Sequence, residues 1–224
     1  MVNYVLLYIF YLIFAYILGS FPSGYIITRL SVKKNILEVG WKKTSGSNVF
    51  RNVGKWQAAL TGILDIAKGF LAVWLALKLG FPHAIQVLAG VAAICGHNWS
   101  FFLKFAGGRG IATYMGVILA FSWKIFILSA IPFLVFSLII NSPIGTIVFL
   151  IIVIILSIYF NQFWLSGIFT AISFIPIFIK RLSPIKEIFP IKEKINLIKN
   201  RLIFDNDESL EIRIKSYFKD KKTL

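Results

Sequence analysis

A glycine-rich turn with one arginine, Gly107-Gly108-Arg109-Gly110, lies between two apolar segments of the sequence. Glycines let backbone N–H groups approach a ligand closely, and the guanidinium of Arg109 is a planar, permanently charged donor suited to phosphate oxygens. A helix beginning at about Gly110 would direct the positive end of its dipole towards the same turn. We therefore expect an anion-binding turn at a membrane surface. The alternative is an ordinary interhelical turn with an arginine that sets topology.

Two ionisable residues, Asp65 and Lys68, lie inside another apolar segment. They are three residues apart and so share one face of a helix. Because ionised groups are costly in the membrane, they normally face the protein interior and have a partner. The pair either stabilises the helix bundle or belongs to, or lies just behind, a functional site.

The segment 44–51, TSGSNVFR, offers small hydroxyl and amide side chains followed by an arginine. Ser47 and Asn48 are of the types that form hydrogen bonds at turns and helix starts, and Arg51 is suited to bind a phosphate. Helix capping without any ligand is the alternative for this segment.

A histidine and an asparagine, His97 and Asn98, lie ten residues before the glycine turn. His97 suits the role of general base or of hydrogen-bond donor to a phosphate, and a purely structural histidine is equally compatible with the pattern. Ser20 lies in the segment 19–25, where glycine, serine and proline end the first apolar run near the same predicted surface.

Several familiar chemistries are missing from the sequence. It contains no P-loop, no nucleophile elbow and no cluster of metal-ligand residues, and it has one cysteine and two histidines. No metal site, no cofactor and no nucleic-acid site are predicted. Catalysis would then depend on binding anions and orienting a substrate that is already activated.

The composition is that of a membrane protein, with 58% hydrophobic residues and a mean hydropathy of +0.82. Runs of about 18 apolar residues or more indicate transmembrane helices, and the first run has the features of a retained span. We predict an all-α polytopic membrane protein with about seven transmembrane helices. Their approximate ranges are 4–21, 57–79, 84–103, 110–121, 125–140, 144–160 and 164–179, with a polar, basic loop at 23–56.

The distribution of positive charge predicts the orientation in the membrane. If the loop 23–56 is cytoplasmic, 21 of the 24 Lys and Arg residues lie on that side, in this loop, the glycine turn and the C-terminal tail. The opposite face has Lys78 and Lys124. We therefore predict an outside N-terminus, a cytoplasmic C-terminus, a membrane domain at 1–180 and a basic cytoplasmic tail at 181–224.

Four segments together resemble the bacterial acyl-phosphate glycerol-3-phosphate acyltransferase family. They are GSFPSGY at 19–25, SGSNVFRNVGK at 45–55, ILDIAKG at 63–69 and GHNWSFFLKFAGGRGIAT at 96–113. The resemblance implies a seven-helix enzyme of the cell inner membrane with its active site facing the cytoplasm. It implies transfer of an acyl group from acyl phosphate to the 1-hydroxyl of glycerol 3-phosphate, giving lysophosphatidate, with no metal or coenzyme A. The partners that it implies for the protein are these two substrates and membrane lipids.

Acyl phosphate is a mixed anhydride, so this reaction needs no enzyme nucleophile. Both substrates carry phosphates, and we expect Arg51, Lys68, Arg109 and the glycine N–H groups to share one pocket, with the acyl chain between apolar spans. The catalytic residues are predicted as His97, Arg109 and Ser47, with Asp65 and Ser20 supporting them. The substrate-binding residues are predicted as Asn48, Arg51, Lys68, Asn98, Gly107, Gly108, Gly110 and Thr113.

Three features differ from the family pattern. Counting back from Arg51 without gaps puts Trp41 where the family has a substrate-contacting serine, unless the segment 45–48 takes that place. The glycine turn has Arg109 in place of a lysine, and the tail has no histidine. Two alternatives therefore remain: an acyltransferase with another phosphorylated acceptor, and a non-catalytic lipid-binding relative.

Overall fold

The computed structural model describes residues 4–183 and 194–204, and in this part of the chain all regular secondary structure is helical. Short 3₁₀ or π segments accompany the α-helices. The α-helices of the described residues are α1 (Tyr4–Ser20), α2 (Ser23–Val32), α3 (Gly46–Asn52), α4 (Lys55–Lys78), α5 (His83–Asn98), α6 (Ile111–Phe121), α7 (Trp123–Ile139), α8 (Ser142–Tyr159), α9 (Ile168–Leu182) and α10 (Lys194–Lys199).

Five helical segments of the described chain are long and apolar enough to cross a membrane. They are Tyr4–Val32, Lys55–Lys78, His83–Leu103, Ser142–Tyr159 and Phe163–Leu182. The apolar helices α6 and α7 have 11 and 17 residues. At about 1.5 Å per residue, α6 is only about half as long as a hydrocarbon core of about 30 Å is thick. The prediction of an all-helical protein with several apolar helices is confirmed, and the count of seven stays a prediction.

Local sequence signals mark the beginnings of two of these helices. Asn141 precedes α8, and its side-chain oxygen accepts a hydrogen bond from the N–H of Ile144 at 2.8 Å. Pro143 occupies the first turn, where its missing N–H costs nothing. Gly110 precedes α6 with a φ of 78°, a left-handed conformation that favours glycine. The predicted helix start after the glycine turn is therefore confirmed.

The structure differs from two of the predicted boundaries. The loop 23–56 contains the helices α2 and α3, because polar residues such as Ser23 and Asn48 are buried there against other elements. The last apolar helix continues through Leu182, three residues past the predicted end of the span at 179, so Lys180 and Arg181 lie in its last turn. Of the predicted tail, residues 184–193 and 205–224 lie outside the described residues.

Helices α4 and α6 pack closely through a reciprocal pair of glycines. A Cβ atom on Gly69 would strike the backbone carbonyl of Thr113, and a Cβ atom on Gly116 would strike that of Ile66. Small residues that let two backbones approach are typical of helix contacts in membranes. This contact fixes α4 beside the first turns of α6, which follow the glycine turn.

An aromatic cluster connects three helices in the second half of the chain. Tyr114 of α6, Phe149 of α8 and Phe169 of α9 are fully buried, and the ring of Tyr114 lies 5.4 Å and 5.3 Å from the other two. The hydroxyl of Tyr114 shares a hydrogen bond of 2.8 Å with Thr170. Because the polar tip is satisfied, the ring stabilises the core without an orphaned hydroxyl. Helices α6, α8 and α9 are thereby held around one space.

Candidate functional site

A cavity of about 220 Å³ lies where α3, the glycine turn and helices α4 to α9 meet. One part of its wall is polar or charged and includes Ser45, Ser47, Asp65, His97, Arg109 and Arg181. The other part is largely apolar and includes Ile111, Met115, Phe133 and Pro143. An anionic head group with a hydrocarbon chain would match this division.

Arg109 is the central cation of the polar wall, with 7% of its surface exposed. Burial, together with the charges of Arg181 and Arg51, lowers the pKa of Arg109 to about 9. Two like charges near a buried guanidinium destabilise it, and an anion in the cavity would offset that repulsion. The surroundings of Arg109 therefore favour a negatively charged ligand.

The glycine turn packs against the end of α5. The N–H of Gly108 donates to the carbonyl of His97 at 3.1 Å, and the carbonyl of Gly107 accepts from the N–H of Thr44 at 3.4 Å. A Cβ atom on Gly108 would strike the imidazole of His97. The first two glycines therefore allow close packing beside His97. The N–H of Gly108 is used in a hydrogen bond to the protein backbone. Gly110, by contrast, lines the cavity.

Asp65 contacts three polar side chains, one on its own helix and two on other helices. Its Oδ1 accepts hydrogen bonds from the hydroxyl of Ser23 at 2.5 Å and from Nζ of Lys68 at 2.8 Å. The same oxygen lies 3.4 Å from Nδ1 of His97. The carboxylate and the imidazole both line the cavity, so the carboxylate orients a histidine at its wall.

Lys68 lies behind this pair. Its Nζ also donates to the carbonyl of Phe21 at 3.0 Å, and 4% of the residue is exposed. Of the three cations predicted to share a pocket, Arg51, Lys68 and Arg109, only Arg109 lines the cavity. Lys68 pairs with Asp65 instead, because a carboxylate buried in a helix bundle is strongly destabilising without a partner of opposite charge.

The polar residues of the segment 44–51 divide into two groups. Ser47 lines the cavity, and its hydroxyl lies 3.3 Å from that of Ser45. Asn48 is fully buried, and its Nδ2 donates to the carbonyls of Val39 at 3.0 Å and Lys43 at 2.9 Å. The amide of Asn48 therefore shapes the preceding loop and does not line the cavity.

Arg51 lies over an aromatic ring that Arg109 also contacts. Its Cζ lies over the indole of Trp41, 4.4 Å from the ring centroid, and Cζ of Arg109 lies 4.5 Å from the same centroid. The two arginines predicted to bind phosphate therefore both contact Trp41.

Three other predicted residues are buried in helix contacts. Asn98 donates from Nδ2 to the carbonyl of Pro176 in α9 at 3.0 Å. Thr113 is fully buried where α6 meets Gly69 of α4. Ser20 donates to the carbonyl of Tyr16 at 2.9 Å and joins the end of α1 to the segment before the glycine turn.

Arg181 was not among the predicted site residues. It is 3% exposed at the end of α9, and its Nη1 donates to the carbonyl of Leu202 at 3.1 Å. Arg201 in turn donates to the carbonyl of Leu182 at 3.0 Å. In the sequence, Arg181 has the appearance of a topogenic charge after an apolar run. The only signal was its place, three residues before a proline and at the end of the last span.

Comparisons with known proteins agree on one family. The family model described as glycerol-3-phosphate acyltransferase matches residues 9–190. The glycerol-3-phosphate acyltransferase of Prochlorococcus marinus (strain MIT 9215) is 42% identical over 125 residues, which are 55% of this chain and 64% of that relative. The chain thus spans less than two thirds of the length of that relative.

A second relative and two solved structures extend the match. Glycerol-3-phosphate acyltransferase 2 of Lactobacillus johnsonii is 34% identical over 86% of this chain and 88% of its own length. The crystal structure of PlsY, an integral membrane glycerol 3-phosphate acyltransferase, in its glycerol 3-phosphate form has a TM-score of 0.68 and 27% identity. That match covers 82% of this chain and 92% of PlsY. Its lysophosphatidic acid form has a TM-score of 0.66 and 26% identity.

Proposed function

This chain belongs to the glycerol-3-phosphate acyltransferase family, and from that premise we propose that it transfers an acyl group from acyl phosphate to the 1-hydroxyl of glycerol 3-phosphate. The product is lysophosphatidate, an early intermediate of phospholipid biosynthesis. One observation carries the proposal: Arg109 and Arg181 line the same cavity as the apolar side chains of Met115 and Phe133. This arrangement supports binding of a phosphate next to the start of a hydrocarbon chain.

In the proposed reaction the 1-hydroxyl oxygen attacks the acyl carbonyl carbon, and the bond from that carbon to the phosphate oxygen breaks. His97 accepts the hydroxyl proton, which the leaving inorganic phosphate then takes up. Asp65, 3.4 Å from Nδ1 of His97, keeps the imidazole oriented towards the cavity. No covalent enzyme intermediate is required, because the acyl group arrives already activated.

Charge stabilisation in the transition state falls to two groups. Arg109 binds a phosphate at the polar wall, and Ser47 donates a hydrogen bond to the carbonyl oxygen as it becomes negative. Arg51, which lies over Trp41, helps to bind the phosphate of the acceptor. Gly110 lets the substrate approach the start of α6. We assign positioning roles to the remaining predicted residues, which are Ser20, Asn48, Lys68, Asn98, Gly107, Gly108 and Thr113.

We further propose seven spans, an outside N-terminus and a cytoplasmic C-terminus, in the inner membrane with the site facing the cytoplasm. The support is the placement of 21 of 24 basic residues on one side when the spans are counted in that way. Residues 1–180 form the membrane domain in this arrangement, with basic residues following at 181–224.

The test is transfer by the purified protein. Labelled palmitoyl phosphate and glycerol 3-phosphate are supplied in detergent, and labelled lysophosphatidate is measured. We expect product with wild type and loss of product with Arg109→Ala. Failure of the wild type to form lysophosphatidate would contradict the proposal.

A second candidate function is transfer to another phosphorylated acceptor. It is favoured by Trp41, whose bulky ring contacts both arginines at the phosphate side. The same assay separates the two functions when other polyol phosphates replace glycerol 3-phosphate. Acyl transfer only to one of these would support the second candidate. No transfer to any acceptor, with lipid still bound, would support a non-catalytic relative.

A further inference from the structure

Trp41 lies at the meeting point of two arginines that differ in their surroundings. Arg109 is buried in the cavity wall, whereas Arg51 is exposed at the end of α3. The guanidinium carbons lie 4.5 Å and 4.4 Å from the centroid of the indole. Both distances are within the range of about 6 Å in which a cation is attracted by an aromatic face.

The backbone around Trp41 is held in place by one buried asparagine. The N–H of Trp41 donates to Oδ1 of Asn48 at 3.1 Å, and Nδ2 of Asn48 donates to the carbonyls of Val39 and Lys43 on either side. Asn52 adds a hydrogen bond of 2.9 Å to the same Oδ1. The indole is therefore carried by a fixed loop and not by a free surface segment.

The two flanking residues take a left-handed backbone conformation. Gly40 has a φ of 56° and Lys42 a φ of 53°. A Cβ atom on Gly40 would meet the side chains of Asn52 and Asn48, and the positive φ adds strain for other residues, so this position favours glycine. These two residues turn the chain sharply, and the turn aims Trp41 at the arginines.

An indole has a physical advantage at this place. Two like charges over one ring repel each other, and the charge of Arg51 is accordingly among the causes that lower the pKa of Arg109, after burial and the charge of Arg181. An aromatic face attracts both cations, so it offsets part of this repulsion. Cation–π contact leaves the positive charge intact for an anion.

We propose that Trp41 is a positioning residue that anchors both Arg51 and Arg109 near the binding place of the acceptor substrate's phosphate. The inference rests on the proposed function in naming glycerol 3-phosphate as that acceptor. The chemistry recognised is a phosphate monoester, and Trp41 acts through the two arginines without reacting itself.

The test compares three variants by calorimetric binding of glycerol 3-phosphate to the purified protein in detergent. Trp41→Leu keeps an apolar side chain and removes the aromatic face, whereas Trp41→Phe keeps a face. Trp123→Leu is the matched control, because Lys124 lies over that exposed ring, 5.8 Å from its centroid. We expect about tenfold weaker binding for Trp41→Leu, about threefold or less for Trp41→Phe, and no change for Trp123→Leu.

A kinetic readout separates positioning from mere packing. For Trp41→Leu, KM for glycerol 3-phosphate rises about tenfold while kcat stays within about threefold of wild type. In the Arg51→Ala background the effect of Trp41→Leu on binding becomes smaller, because one of its two partners is gone. Equal binding by Trp41→Leu and wild type, or full additivity with Arg51→Ala, would overturn the inference.

Two further measurements keep the result decisive. If Trp41→Leu does not purify as a folded protein, Trp41→Met replaces it as the variant without an aromatic face, and binding by Trp41→Met equal to wild type overturns the inference. Inorganic phosphate serves as a second probe that needs no turnover. Phosphate binding that depends on Trp41 without lysophosphatidate formation leaves the inference standing and the proposed function refuted. Lysophosphatidate formation by the wild type, together with unaltered binding by Trp41→Leu, refutes the inference and leaves the proposed function standing. Absence of binding of either probe to wild type overturns the inference.

Discussion

Arg109 is the residue on which the proposed anion chemistry of this cavity depends most. It is buried, and after burial the charges of Arg181 and Arg51 contribute most to the lowering of its pKa. A phosphate bound beside these cations would offset their repulsion. We therefore expect Arg109 to contribute to binding and catalysis in the proposed reaction.

Arg109→Ala is expected to lower kcat/KM by about 10²–10³, the usual cost of losing one charge-stabilising donor in a transition state. Arg109→Lys keeps the charge but loses the planar fork, so we expect a smaller loss. The measurement is the rate of lysophosphatidate formation.

Arg29→Ala, at an exposed position on α2, is the matched control and should keep the wild-type rate. A full rate for Arg109→Ala in a folded protein would show that the cavity is not where phosphate is bound.

Helix α4 is the element on which the site depends most. It supplies Asp65 to the cavity and Lys68 behind it, and it contacts α6 through Gly69 and Gly116. Through Ser23 and His97, the carboxylate of Asp65 also joins α2 and α5 to α4. Displacing α4 would therefore separate the histidine from its carboxylate.

Asp65→Asn should destabilise the protein by about 3–5 kcal/mol, because Lys68 is left as a buried charge without its carboxylate. The double variant Asp65→Asn/Lys68→Met removes both charges and should recover much of that stability. Thermal unfolding in detergent measures the stability of both variants, and acyl transfer measures their activity.

We expect the double variant to remain poorly active, since His97 has lost its orienting carboxylate. Recovery of both stability and rate in the double variant would mean that the pair only stabilises the bundle.

Gly116→Ala should cost about 1–3 kcal/mol, because the new Cβ would strike the carbonyl of Ile66 in α4. Gly62→Ala on α4 is the control, as no atom lies within 4 Å of a Cβ placed there. Replacing a helical glycine by alanine in open space should raise stability by about 0.5–1 kcal/mol. Unfolding temperatures of the two variants that move in the same direction would contradict the proposed helix contact.

At the scale of the whole molecule, an apolar exterior surrounds an interior that has both an apolar core and a polar cavity wall. Large apolar side chains are exposed along α1, α7 and α8, where lipid is the expected neighbour. Buried charged side chains, among them Asp65, Arg109 and Arg181, line the cavity. This distribution suits an enzyme that takes one substrate from the bilayer and the other from water.

Topology is tested with single cysteines in a Cys95→Ser background. Lys104→Cys lies beside the glycine turn, and Lys124→Cys lies at the start of α7; both positions are exposed. With the site facing the cytoplasm, a membrane-impermeant maleimide should label position 124 in intact cells and position 104 only after permeabilisation. The opposite labelling pattern would reverse the proposed orientation.

Local chemistry made much of the architecture predictable from the sequence. Asn141 and Gly110 begin helices through their own side chain or backbone conformation, and apolar runs of sufficient length become helices because no water is available to backbone groups. The intramembrane pair of Asp65 and Lys68 was predictable for the same reason, since a helix of known period brings them to one face. Each of these depends only on neighbours in the chain.

Tertiary structure alone decided which polar side chains face the cavity. Asn48 and Lys68 were expected there, but each bonds to the protein: Asn48 to its preceding loop, and Lys68 to Asp65 and Phe21. Arg181 faces the cavity because α9 continues past its expected end. A donor or cation binds whichever acceptor the fold brings within about 3 Å, and contacts between residues far apart in the chain determine that distance.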